Sequence, residues 1–199
     1  NSRDSAMPLS IPVGVNGRFS KPEQTHYFSF NATKNSYYFF EVSADRYGLP
    51  LDCLIEVHDS NGKKLIEADD GQTESGRYTK DAQFHFKAPA DGKYFISVRD
   101  LHDRGGERFF YHLRAEPSGP DFGVSGEYYY AQIAPGTHMM WFARIGRMNG
   151  FRGPVTMQIE GLPKGVSFTL VTIPAEMTHC SLILSAASDA KIDASLVRV

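Results

Sequence analysis

The chain has 199 residues, 41% of them hydrophobic and 22% charged, with 21 Lys/Arg against 23 Asp/Glu and a net charge of −2. That supplies apolar residues for one large or two small cores. It excludes the basic footprint that nucleic acid or an anionic membrane surface would need, and no apolar run approaches the ~18 residues of a membrane-spanning helix.

Taken in chain order, the apolar residues recur with period 2 rather than 3.6, the mark of half-buried strands. Asn1 is not an initiator Met, so a removed leader or a longer parent chain is expected. Phe28 and Phe30 alternate around Ser29. Tyr38, Phe40 and Val42 share a face, and Tyr37-Tyr38-Phe39-Phe40 places aromatics on both faces of one strand. The outer set is expected to stack on sugar rings or to cover a neighbouring domain. Leu51, Cys53, Ile55 and Val57 alternate next, and Asp59-Ser60-Asn61-Gly62 reads as a hairpin turn into the following run. Phe84 with Phe86, then Tyr94, Ile96 and Val98, then Phe109, Tyr111 and Leu113 continue the pattern, punctuated by Asp70-Gly71 and Pro89-Ala90-Asp91-Gly92.

A break is expected at Glu116-Pro117-Ser118-Gly119-Pro120, because two prolines and a glycine do not continue a central strand. The chain beyond it is poorer in charge and again alternates: Tyr128/Tyr130, Trp141/Ala143/Ile145, Val155/Met157/Ile159, Phe168/Leu170, Leu182/Leu184 and Leu196 with Arg198. Tyr128 to Tyr130, close to the linker, are expected to make an interdomain contact. The fold class is therefore all-β, two tandem β-sandwiches divided into residues 1–117 and 118–199. Cys53 and Cys180, the only cysteines, are expected to be free thiols in separate cores.

The common nucleophile, metalloprotease, redox, phosphate-loop and dinucleotide motifs are all missing. The seven histidines are scattered, and most are expected on outer strand faces. No catalytic residue is expected. Asp52, Asp69, Asp70 and Asp81 form the densest carboxylate cluster, and strand-end carboxylates that converge on one rim can supply oxygens to Ca²⁺. Asp also ends strands through turns of its own, which is the commoner use. The charged run around Arg99, Asp100, His102 and Arg104 is a candidate polar-ligand loop, set against a solvated hairpin tip whose ion pairs carry little energy.

The first part resembles the bacterial pre-peptidase C-terminal domain over about residues 11–115. The residues carrying the likeness are Asn16-Gly17, Tyr27-Phe28-Ser29-Phe30, Leu51-Asp52, Asp59-Ser60-Asn61-Gly62, Asp69-Asp70, Asp81, Pro89, Gly92-Lys93-Tyr94 and Val98. Gln24, Thr25 and His26 stand where the family usually has an acidic residue. The resemblance implies a jelly-roll-like, non-catalytic appendage of a secreted or surface protein. Some relatives bind calcium, and some bind polymers such as collagen or polysaccharide. Gly150-Phe151-Arg152-Gly153-Pro154-Val155 and Gly161-Leu162-Pro163-Lys164-Gly165-Val166 make the second part similar to immunoglobulin-like modules of bacterial surface proteins.

The expected role is an extracytoplasmic accessory or adhesion module, attached to further domains of a longer chain. It requires no cofactor, and calcium is the one ion the pattern admits. The expected partner is a polysaccharide or a protein polymer. The alternatives are a dedicated carbohydrate-binding domain, a hydrolase with an unrecognised site, and a structural spacer. An exposed aromatic platform beside a groove favours binding, and a Ser-His contact in a cleft favours an enzyme.

Overall fold

The structure is a computed structural model that describes residues 2–72, 78–126 and 130–199. It is all-β. Among the described residues the only helical turns are short 3-10 segments at Arg3–Ser5 and Asp45–Tyr47. The chain divides into two compact units, Asn1–Gly119 and Pro120–Val199.

In the first unit the strands are β1 (Met7–Pro8), β2 (Val13–Arg18), β3 (Thr25–Ala32), β4 (Tyr37–Ser43), β5 (Cys53–His58), β6 (Lys64–Ala68), β7 (Gly71–Gln72), β8 (Tyr78–Thr79), β9 (Ala82–Lys87), β10 (Gly92–Asp100) and β11 (Phe110–Ser118). They form a five-stranded sheet in the order β1-β3-β10-β5-β6, a four-stranded sheet in the order β2-β11-β4-β9, and a β7-β8 ribbon. Among the described residues only β1 with β3 pairs in parallel. The alternation read from sequence sets which side is buried. Phe28, Phe30, Ile55, Val57, Tyr94, Ile96 and Val98 come from the first sheet, and Phe40, Val42, Phe86, Tyr111 and Leu113 from the second. They merge into one core. Phe30 bridges the layers, its ring centroid 5.2 Å from that of Phe40, so the unit is a sandwich.

Turn chemistry fixes the register. Asp59 Oδ1 accepts the backbone N–H of Asn61 and Lys63, both at 2.9 Å, and Gly62 takes the left-handed conformation (φ 89°) that closes the β5–β6 hairpin. The two units part at Gly119/Pro120, within the Glu116–Pro120 segment where the break is expected, and β11 runs through Pro117 to Ser118. The pairing explains why. β2 partners β11 only up to Val13↔Ala115, while β4 continues to Tyr37↔Ser118. Pro117 thus lies on a stretch with one neighbour, where a missing N–H can face the unpaired side.

In the second unit the strands are β12 (Asp121–Gly126), β13 (His138–Met148), β14 (Val155–Met157), β15 (Val166–Phe168), β16 (Val171–Ile173) and β17 (His179–Ala186). They make a sheet in the order β12-β13-β17-β15 and a β14-β16 ribbon. Ala143, Ile145, Leu182 and Leu184 from the sheet and Val155, Met157 and Ile173 from the ribbon share a core. Leu196 and Arg198 do not complete a strand. Leu196 is exposed, and the segment makes a single bridge, Glu160↔Arg198. Tyr128 and its expected contact lie outside the described residues, and Tyr130 is exposed. Cys53 is buried and Cys180 partly so, and neither is in a disulfide.

Candidate functional site

The charged loop after β10 is built around Asp100. Its side chain is buried, and its oxygens accept the backbone N–H of Asp52 (3.1 Å), His102 (3.1 Å) and Arg104 (2.9 Å) together with two guanidinium bonds from Arg104, both 3.0 Å. Burial opposes ionisation of Asp100, but Arg104 and these backbone donors outweigh it and hold its carboxyl below the usual range. Arg104 also lies over the Phe109 ring, and Arg99 pairs with Asp103. Of the four residues singled out as ligand contacts, Asp100 faces inward, and Arg99 and Arg104 are engaged within the loop. His102 stays exposed, with Nε2 3.5 Å from Asp52 Oδ2.

The carboxylates expected at a cation rim divide. Asp81 is fully buried. Its oxygens accept the backbone N–H of Ala44 and Asp45 at 2.7 and 2.8 Å and the Arg46 side chain, which holds the Asp45–Tyr47 turn in place. Asp52 is met by Lys80 Nζ at 3.2 Å, so an ammonium already occupies one of its oxygens. Asp69, Asp70 and Asp52 all act on Tyr78. Its phenol is pushed up to about 12, first by its hydrogen bond with Asp70. Among the described residues no group of three or more His, Cys, Asp or Glu is placed to hold a metal ion.

One cluster escaped sequence reasoning because it needs the β5–β10 register. Ser97 Oγ donates to Glu56 Oε2 (2.9 Å), and His58 Nε2 lies 3.2 Å from the same carboxylate oxygen and 3.3 Å from the hydroxyl. Glu56 sits below its ordinary range because Ser97, His58 and Lys64 outweigh its burial. The geometry is not that of an activated nucleophile. The hydroxyl proton goes to the carboxylate, and one imidazole nitrogen faces both partners, whereas a triad puts the acid on the opposite nitrogen.

A groove of about 490 Å³ lies on the outer face of the β2-β11-β4-β9 sheet. Alternation along β11 buries Tyr111 and Leu113 and turns Phe110, His112 and Arg114 outward. Asn16 and Ser43 are the cross-strand partners of His112, and His112 Nδ1 lies 2.8 Å from Asn16 Oδ1. Gly14 makes room for the imidazole, which a Cβ there would meet. Tyr47 overhangs from the Asp45–Tyr47 turn, which ends on the left-handed Gly48 (φ 69°). Tyr47 is 62% exposed and Phe110 45%. These two rings line the groove together with the Asn16 amide, the His112 imidazole and the buried Ser43. The adjacent pair Phe109-Phe110 was the legible signal, since consecutive aromatics on a strand cannot both face the core. Tyr47 had no such signal, because a lone Tyr in a turn carries no period.

Comparison with known proteins places the first unit. Residues 24–100 match the model of the bacterial pre-peptidase C-terminal domain. No curated protein matches the chain. Among solved structures, the pre-peptidase C-terminal domain of a Bacillus anthracis collagenase is 14% identical with a TM-score of 0.45, covering 58% of this chain and 99% of that one. The Aeromonas hydrophila periplasmic inhibitor of g-type lysozyme, PliG, is also 14% identical, with a TM-score of 0.44 and coverage of 57% and 96%. Asn16, Phe110 and His112 lie outside the matched span, so the groove draws on strands that flank it.

Proposed function

We propose, from a first unit that carries a bacterial pre-peptidase C-terminal domain over residues 24–100, that this chain is a non-catalytic accessory and adhesion module of an extracytoplasmic bacterial protein. Its first unit binds a polymer in the groove between Tyr47 and Phe110, and its second unit is an immunoglobulin-like spacer. The single observation that carries the reading is this pair of exposed rings lining the groove with Asn16, His112 and Ser43. Ring faces left in water gain by covering a flat ligand, and the few polar groups between them fix its orientation.

The test is co-sedimentation of the whole chain with insoluble chitin, cellulose, peptidoglycan and fibrillar collagen. At least one polymer should retain the protein, and Tyr47→Ala with Phe110→Ala should release it by tenfold or more at unchanged melting temperature. Retention of the double variant equal to that of the parent would remove the groove from the binding surface. Turnover of hydrolase substrates that disappears when a residue of this chain is changed would overturn the non-catalytic assignment.

A further inference from the structure

The groove continues into a cationic strip along the same face, and the two features together point to a ligand class. Phe110 pairs across the sheet with Arg18, whose guanidinium lies 5.5 Å from the Phe110 ring centre. Four residues along β11, Arg114 lies 5.1 Å from the centre of the Phe39 ring. At the far end Lys87 lies 5.4 Å from the centre of the Tyr37 ring. Phe39, Tyr37 and Phe110 thus each have a cation beside the ring, and Phe110 and Tyr47 still keep the larger exposed areas.

Among the described residues Arg18 and Lys87 make no ion pair, and Arg114 reaches Glu41 (3.5 Å) and Glu116 (3.9 Å) through Nε. Glu41 is already bonded to Arg46. On a chain of net charge −2 this face therefore carries surplus positive charge. Guanidiniums already held beside aromatic rings lose less freedom on pairing with a carboxylate or sulfate. The rows of Arg18 and Arg114 are about 14 Å apart at ~3.4 Å per strand residue, with the His112–Asn16 floor between them.

We propose that the ligand of this face is an acidic polysaccharide. One sugar ring stacks between Tyr47 and Phe110 over His112 and Asn16, and the carboxylates of flanking sugars pair with Arg18 and Arg114. The proposal rests on the reading of this groove as the polymer-binding surface. The choice of sugar over an acidic peptide comes from the two exposed rings and the polar groups that line the groove with them, which suit a hydroxyl-bearing ring better than a lone carboxylate.

The experiment is affinity electrophoresis and calorimetry of the whole chain with polygalacturonate, alginate and hyaluronate, beside carboxyl-reduced polygalacturonate and soluble gelatin. The expected result is binding to at least one uronate polymer that weakens steeply between 50 and 200 mM salt. Reduction of the carboxyls, or Arg18→Gln with Arg114→Gln, should cost tenfold or more. Tyr47→Ala with Phe110→Ala should abolish binding. Arg18→Gln alone disturbs no ion pair and controls for misfolding. Equal binding to reduced and native polymer, or binding to gelatin alone, would overturn the acidic-sugar assignment while leaving the groove as a polymer site if the aromatic variant still fails. Binding to uronates that ignores both variant pairs would overturn the acidic-sugar assignment and the groove reading together. No binding to any uronate polymer would overturn the acidic-sugar assignment.

Discussion

Asp100 illustrates how much one buried carboxylate can hold. Five hydrogen bonds converge on it from Asp52, just before β5, and from its own loop. Asp100→Asn keeps the shape but replaces an acceptor with a donor facing donors, leaving buried N–H groups unpaired at a cost of about 2–3 kcal/mol. Thermal unfolding should show this as a drop on the order of ten degrees. The pH dependence follows the shifts. The folded pKa values of Asp100 and Glu56 are depressed, so their stabilisation is complete above the ordinary carboxylate range and is lost as pH falls through the folded values. His26 is also depressed, chiefly by burial, in a stack where its Nδ1 lies 2.6 Å from the Tyr111 hydroxyl. Above about pH 6.5 both states are neutral there, and below it the unfolded chain takes up a proton the folded chain resists. Melting temperature should therefore step down once below about 6.5 and again below about 4. His26→Gln should flatten the first step and Asp100→Asn the second. Calcium should add nothing, because an ion at Asp52 or Asp81 must first displace Lys80 or Arg46. Curves in EDTA and millimolar Ca²⁺ should superimpose, whereas a gain of about 2.7 kcal/mol at a hundred times the dissociation constant would return Asp69 and Asp70 to the list of ligands.

At the scale of elements, β2 and β11 are fitted to each other through absent side chains. Gly17 lies opposite Tyr111, and a Cβ on it would run into the phenol ring. That ring is fixed by stacking on Phe19 at 5.0 Å and by His26. Gly17→Ala should cost about 1–3 kcal/mol, as overpacking in a rigid core does, measurable by urea unfolding. A cost near zero would mean that the Tyr111 ring moves aside freely. The pairing also shows what was legible beforehand. Strand alternation and turns were, because burial on one face imposes period 2 on each strand separately, and Tyr38/Phe40 inward with Tyr37/Phe39 outward follows that rule. The Asn16–His112 floor, the Ser97–Glu56–His58 cluster and the continuation through Pro117 were not, because each depends on which strands become neighbours and in what register. The acidic and basic residues of the loop after β10 were found as a composition. Their direction was not, since whether Asp100 points at a ligand or at its own backbone is decided only when the residue before β5, Asp52, supplies its N–H.

For the molecule as a whole, the two units have cores with no residue in common. Among the described residues the first core has fully buried side chains from both of its sheets, Phe40 and Leu113 from one and Ile55 and Ile96 from the other, with Phe19 just past β2, and the smaller second core centres on Ile145, Ile173 and Leu182. A unit of about 120 residues with its own core is of a size that folds alone. The proposed ligand face also lies wholly within residues 1–119. Residues 1–119 expressed alone should therefore keep a cooperative melt and bind whatever polymer the whole chain binds, with unchanged affinity. The second unit supplies an independent reporter, because it contains the only Trp, Trp141, packed against its core. Leu182→Ala should destabilise that core by about 2–5 kcal/mol. Trp fluorescence should register the loss in the full chain, while the near-ultraviolet signal of the tyrosines at 94 and 111 and the polymer affinity stay as they were. Loss of polymer binding on either change would mean that the second unit contributes to the ligand site, and would end its description as a spacer.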